Sequence, residues 1–573
     1  MTISAPVYTA TLQGSSPVAL AILDGSITLD EATAPHVQGS ITIALPSATV
    51  LAALDPRTSP PPRISVIVTV TLPWSTVTRA FDLTLRGRTV RHAEGAVVLS
   101  LSSDEGLLQD IAPLADDLNP YTYEASLRGV VGYVLGKIGA TLAATPATDA
   151  DVTPYASATN LVTDPSCQGG ATIYTVANAT LDRADTSWAA VGTKCINIYA
   201  PTSADSYATI GGDNGAIRMG MTAGRTYVCS ATGKVKTGYP VGGTPSVNAR
   251  RIVAYWRVGT GAYASASSPQ LPTTTTAGTR VAVTFTIPAD ATEAFVRVYN
   301  GHTTGEVQWD AFRLSEYTGD PADAAYFDGA TAPTPGYAYA WTGTPDASTS
   351  TRRALISRSI DSLTWKAGTD GYEFLNPLVQ AAGLRLVCDE SRTWTLRSGD
   401  YQADGSLAIR HAVNLVDGDD AIVRADTDPQ AWFDACVVVY TWTDADGATL
   451  TAFDTAQASS SPSRIIRLAR DTPYPGPGFA AYAVARAKGR GRALTLTTMA
   501  DWTARAEQPI QAILDRTPTQ IGKTSRVVYD LGRHEMTVTT RTTDTPPSAW
   551  TLIPVGERWI DSPTGASWTA ESI

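Results

Sequence analysis

Short apolar runs that alternate with polar residues dominate the first hundred positions. Pro6–Leu12, Leu20–Leu29, Gly39–Leu45, Ile64–Leu72, Ala80–Arg88 and Ala96–Ser102 each send every second residue to one side, the period-two pattern of a strand with one buried face. Asp24-Gly25, Pro60-Pro61-Pro62 and Glu94-Gly95 supply turn chemistry between them. Short strands with no helix among them predict a small barrel or sandwich. The period then changes: Leu127, Val130, Val131, Val134, Leu135 and Ile138 recur at helical spacing. Ser126 or the acidic residue before it can cap an amphipathic helix over Tyr123–Ile138, and Gly139 can end it.

Periodicity fades over 143–159 and again over 330–351, both rich in Ala, Thr, Ser, Pro and Asp, which reads as two linkers. Between them lie roughly 170 residues of strand and loop, one domain's worth, placed where an insertion is tolerated. Beyond 352 the mixed style returns. Phe374, Leu375, Leu378, Val379 and Ala382 form one helical face ending at Gly383, and Leu384–Cys388 with Thr393–Arg397 read as a hairpin around Asp389-Glu-Ser-Arg392. Ala435–Trp442 with Thr449–Asp454, and Ser525–Asp530 with Glu535–Thr540, read as two more strand pairs, with a short Ala-rich helix over Phe479–Lys488 between them.

Composition narrows the function. The 573 residues carry 43 Lys and Arg against 54 Asp and Glu, a net charge of −11, the wrong sign for a protein that reads duplex DNA by displacing its counterions. No window approaches the ~18 apolar residues of a membrane span. The start, Met1-Thr-Ile-Ser-Ala-Pro6, has neither a basic nor an apolar stretch, so no signal peptide is expected. The five cysteines lack CxxC spacing, which argues against zinc or a dithiol; Cys167, Cys195 and Cys229 leave room for one disulfide if the protein works outside a cell.

Catalytic chemistry is scarce. His36, His92, His302, His411 and His534 are scattered, and no nucleophile elbow, phosphate loop or dinucleotide fingerprint is present. Lys488-Gly-Arg-Gly-Arg492 reads as a basic helix end. Asp417-Gly-Asp-Asp420, Asp444-Ala-Asp446 and Asp389-Glu390 read as turns rather than as a cation loop or a catalytic carboxylate pair. No enzyme is expected.

The segment between the linkers opens with Asn160-Leu-Val-Thr-Asp-Pro-Ser166, carries a late strand Gly305-Glu-Val-Gln-Trp-Asp-Ala-Phe-Arg-Leu314, and ends with Tyr326-Phe-Asp-Gly329 and Tyr339-Ala-Trp-Thr-Gly343. Over about 160–345 it resembles the jelly-roll carbohydrate-binding modules of the family-4/9 type, with Asp164 where Asn is common. Alternation in Arg251–Val258 puts Ile252, Ala254 and Trp256 on one face and Val253, Tyr255 and Arg257 on the other. Sugar rings lie on aromatic platforms while polar neighbours take their hydroxyls, which makes Tyr255 or Trp256, Tyr263, Tyr299, Asn300 and His302 the candidate glycan contacts. Trp309 is assigned to the core. The resemblance further implies a structural calcium near Asp310 and the backbone around Asn160.

The flanks carry a second resemblance. Ser26-Ile-Thr-Leu-Asp-Glu-Ala-Thr-Ala-Pro-His36 before Gly39-Ser-Ile-Thr-Ile43, Leu54-Asp-Pro-Arg57, Leu85-Arg-Gly-Arg88 and Ser102-Ser-Asp-Glu-Gly-Leu-Leu-Gln-Asp110 look like the N-terminal half of minor tail proteins of long-tailed actinobacterial phages. Ala483-Val-Ala-Arg-Ala-Lys-Gly-Arg490 through Trp502, Val555-Gly-Glu-Arg-Trp-Ile-Asp561 and Ala566-Ser-Trp-Thr569 look like their C-terminal half. This implies a mainly β protein with minor α: an N-terminal hub β-barrel over 1–115, a helical segment and linker over 116–157, the inserted β-sandwich jelly roll over 158–348, an α+β subdomain over 349–410 and a second hub β-barrel with a C-terminal segment over 411–573. The resemblance implies a structural virion protein at the tail tip, or baseplate. It would be a homotrimer closing the tail tube, in contact with distal tail, tail-tube, tape-measure and central fibre or tip proteins. The insert would bind host cell-wall glycan, and genomic DNA would pass through an acidic lumen without sequence-specific binding. The alternatives are a secreted polysaccharide-degrading enzyme with an accessory sugar module, and a hub whose insert is only a spacer.

Overall fold

A computed structural model describes residues 5–544 apart from short stretches at 73–74, 170–172, 186, 237–242, 274–276, 320, 412, 423–431, 445–446, 488–491 and 518. The chain is mainly β with minor α and divides into two compact units, one built from Met1–Thr153 together with the described part of Asp361–Ile573, the other from Pro154–Ile360.

The first unit is organised by one thirteen-stranded sheet. Val18–Leu20, Val7–Leu12, Arg63–Thr71, Thr76–Arg91, Ala96–Ser102, Val37–Ala44 and Ile22–Asp30 follow one another across it, and Ile22–Asp30 then pairs antiparallel with Gln520–Asp530. From there the sheet runs through Glu535–Asp544 and Arg492–Met499 to Leu415–Ile422, with Pro509–Ile513 and Leu407–Arg410 to one side. The expectation of two separate barrels is therefore corrected: among the described residues no barrel closes. The apolar faces of both halves fuse instead, so Ile27, Ile41 and Phe81 share one core with Val527, Tyr529 and Val538.

Two smaller cores complete this unit. Helices Leu127–Gly136 and Gly371–Ala381 pack with the hairpin Leu384–Cys388/Trp394–Ser398 around Leu375, Val131 and Trp394. Ser126 caps the first helix, its hydroxyl accepting from the Gly129 N–H at 3.1 Å, and Asp370 caps the second. The sheet of Ala435–Thr443, Thr449–Gln457 and Ile465–Arg470 covers helix Phe479–Ala487.

Several turn expectations, and the linker expected over 330–351, fail for a shared reason: side-chain hydrogen bonds and close backbone approach, rather than apolar period, organise those segments. Asp24-Gly25 lies inside a strand, where a Cβ on Gly25 would come within 2.7 Å of the Ser40 carbonyl oxygen. Asp417-Gly-Asp-Asp420 also lies in a strand, with Asp420 taking a two-pronged bond from Arg492 at 2.6 and 3.0 Å. The linker expected over 143–159 contains the division between the two units, at Thr153 and Pro154, and is tethered to the first helix where Asp149 accepts from the Ser126 hydroxyl and the Arg128 N–H. The 330–351 stretch holds strand Tyr337–Trp341 and the start of Ser350–Ala354. Asp444-Ala-Asp446, Lys488-Gly-Arg-Gly-Arg492 and the tracts after residue 544 fall wholly or partly outside the described residues.

The second unit is a sandwich of two five-stranded sheets. One runs Thr180–Asp185, Cys195–Tyr199, Val307–Glu316, Thr226–Val235, Thr279–Thr286; the other runs Ala264–Ser267, Ile252–Arg257, Glu293–Tyr299, Tyr207–Ile210, Tyr174–Ala177. Their facing residues form one core that includes Trp309, fully buried as expected. The ends of the inserted unit meet in a small sheet in which Ser350 pairs with Asn160, the closeness that lets a module sit within another chain. All five cysteines are buried and none forms a disulfide.

Candidate functional site

Alternation along the second sheet of the sandwich decides which side chains can form a surface. In Ile252–Arg257 and Glu293–Tyr299, Ile252, Ala254, Ala294, Val296 and Val298 enter the core. The other parity turns outward: Val253, Tyr255 and Arg257 beside Glu293, Phe295, Arg297 and Tyr299, with Tyr207 from the next strand. These residues form a connected aromatic and charged face.

At one end of the face the rings are closed over. Tyr299 is 1% exposed, its ring 5.2 Å from that of Tyr207, and its hydroxyl meets that of Tyr255 at 2.8 Å. Burial and the bond with Tyr255 hold the Tyr299 phenol well above its usual range. Arg297 lies over Tyr207 at 3.9 Å and donates to Asp213 at 2.7 Å.

The other end is more open. Tyr255 and Tyr263 are half-buried, each packed by ring contact on Phe295, and Arg257 lies over Tyr263 at 4.5 Å. Glu293 accepts from Arg257 and from the Tyr263 hydroxyl, each at 2.5 Å, and from the Gly215 N–H at 2.8 Å. The Arg257 hydrogen bond, joined by those of Tyr263 and Gly215, pulls Glu293 down to about 2, so it is ionised at neutral pH. Two amphipathic rings beside a fixed guanidinium–carboxylate pair can receive a C–H face and orient hydroxyls.

The sequence-predicted residues are thus partly assembled. Tyr255, Tyr263 and Tyr299 share this face. Trp256 lies on the opposite side of its strand, stacked on Phe285 at 6.2 Å and packed against the core. Asn300 is buried beyond the strand end, donating to the carbonyls of Ile198 and Gly305 at 3.2 and 3.1 Å, and His302 is buried in the same turn. Arg257, Glu293, Phe295, Arg297 and Tyr207 were missed as site residues; the parity that links Tyr299 to Phe295 and Arg297 was the signal available.

Asn160 and Asp310 are both fully buried. The Asn160 carboxamide is used up: it donates to the carbonyls of Phe312 and Phe327 and accepts from Val162 and Leu314 N–H groups. Asp310 accepts from Ala190 and Val191 N–H at 2.7 and 2.8 Å, and burial raises it to about 6. Among the described residues no three acidic, His or Cys side chains gather as a metal site.

No protein-family model and no curated protein matches this chain. Among solved structures it is similar to the tail protein from Neisseria meningitidis MC58, at 9% identity over 95% of this chain and 98% of that one, with a TM-score of 0.36. It is also similar to the 43 kDa tail protein of prophage MuSo2 from Shewanella oneidensis, at 7% identity over 93% and 98%, with a TM-score of 0.36. The xylan-binding CBM22-1 domain of Xyn10C from Paenibacillus barcinonensis matches 28% of this chain and 92% of its own length at 10% identity, with a TM-score of 0.20.

Proposed function

We propose that this chain is a structural, non-enzymatic protein of a phage tail tip whose inserted sandwich binds host cell-wall glycan. The observation that carries the binding half is the outward face bearing Tyr255 and Tyr263 beside the Arg257–Glu293 pair. The tail half is supported by the flank motifs. It is also supported by the construction of the first unit, in which strands from both ends of the sequence form one sheet that continues past the insertion.

In this reading three copies form a ring that closes the tail tube and meets distal tail, tube, tape-measure and central tip proteins. The chain's net charge of −11 then suits a lumen through which DNA passes without sticking. Each sandwich binds glycan weakly, and three copies on one ring gain by avidity, about 10²–10⁴-fold where the geometry lets them engage together.

A glycan array probed with the full chain tests the binding half. Retention on host cell-wall polysaccharides, lost in a Tyr255→Ala/Tyr263→Ala chain that remains folded, is the expected result. Absence of binding to any wall glycan would make the insert a spacer.

A further inference from the structure

A second cluster, in the first unit, gathers more positive than negative charge among the described residues. Glu31 receives Arg486 at 3.2 Å, lies 3.5 Å from Arg385 and also pairs with Arg541. Glu507 receives Arg397 at 2.9 Å and also pairs with Arg385. All four guanidinium side chains are more than nine-tenths buried. They are joined by Lys523, whose ammonium donates, among the described residues, to the backbone carbonyls of Asp400 and Tyr401. Among the described residues, five cations thus face Glu31, Glu507 and the Asp400 carboxylate, a surplus of two charges.

Three of these cations, Arg486, Lys523 and Arg541, line a cavity of about 560 Å³ with Asp400, Tyr482 and small residues such as Gly383 that leave backbone accessible. Among the described residues, Nη1 of Arg486 is buried and finds no hydrogen-bond acceptor. Neighbouring groups register the field. Burial, then Arg397 and Arg385, lowers His36 to about 3, and burial, then Arg541, lowers Lys523. Uncompensated buried charge is costly, and guanidinium forks match oxyanions in shape.

We propose that this cavity binds a dianionic oxyanion of the phosphate or sulfate class. The anion neutralises the two surplus charges, accepts from Arg486 Nη1 and Lys523, and so ties helix Phe479–Ala487 to strands Gln520–Asp530 and Glu535–Asp544.

Calorimetric titration of the full chain with inorganic phosphate and with sulfate, at ionic strength held constant with chloride, tests this. Saturable binding is expected, weakened at least tenfold in Lys523→Met and Arg486→Met and retained in Lys523→Arg. Lys523 is only half-buried, so its variants stay folded even where Arg486→Met does not. No saturable binding of either anion, equal affinity in wild type and Lys523→Met, or acetate binding as tightly as sulfate would each overturn the proposal.

Discussion

Arg79 and Glu390 stand 311 positions apart and meet in the interior at 2.9 Å. The same guanidinium donates to the carbonyls of Trp502 and Ala504 and to the Tyr529 hydroxyl at 2.9 Å. One side chain from the N-terminal strands therefore holds the hairpin after the insertion and the C-terminal strands together. Breaking such a pair from one side strands a buried charge. Arg79→Met is expected to cost about 3–5 kcal/mol of first-unit stability, measured by denaturant midpoint, and Arg79→Met/Glu390→Leu is expected to recover part of it.

The seam between the two halves gives a second test. Ile27 is fully buried and pairs in register with Tyr529. Ile27→Ala should cost about 2–5 kcal/mol. Hydrogen exchange should quicken in Ile22–Asp30 and in Gln520–Asp530 together, because they share one core.

Adjacent residues on one strand should behave oppositely. Tyr255→Ala, on the outward face, is expected to reduce glycan retention about tenfold, with the lost hydroxyl pair to Tyr299 costing about 1 kcal/mol of stability. Trp256→Ala, half-buried against the core, should lower the melting temperature by removing about 1–3 kcal/mol of packing while leaving the outward rings in place. Affinity chromatography and thermal melts of both variants check this.

Asp310 predicts a pH dependence of the sandwich. Burial raises its folded pKa from 3.8 to about 6, so the folded state holds a proton that the unfolded state has lost between those values. Stability therefore falls as pH rises through that window, by on the order of 3 kcal/mol, and the loss is complete above it. Acidification from pH 7 to pH 5 should stabilise the unit, and Asp310→Asn should flatten the profile in thermal melts at each pH. Glu293, depressed to about 2, loses its contribution only as pH falls below the ordinary carboxylate range, outside this interval.

Strand parity and helix period were legible wherever one face is buried. The hairpin Leu384–Cys388/Trp394–Ser398, the helix behind Ser126 and the two faces of Ile252–Arg257 follow directly from them. Pairing across hundreds of residues was not legible, because alternation says which face is apolar and nothing about the partner; hence barrels were expected where Ile22–Asp30 pairs with Gln520–Asp530. The candidate site was half legible. Tyr255 and Tyr299 follow from aromatic alternation, whereas Glu293 becomes a site residue only when the fold brings Arg257, Tyr263 and Gly215 onto it. The cluster around Glu31 draws on residues scattered from Glu31 to Arg541, so no local pattern announces it.

Electron cryomicroscopy of virions carrying this chain tests the central claim most directly. Three copies around the axis at the tail tip, with Asp and Glu outnumbering Lys and Arg along the lumen, are expected. A chain found elsewhere in the particle, or a lumen with net positive charge on its facing residues, would contradict it.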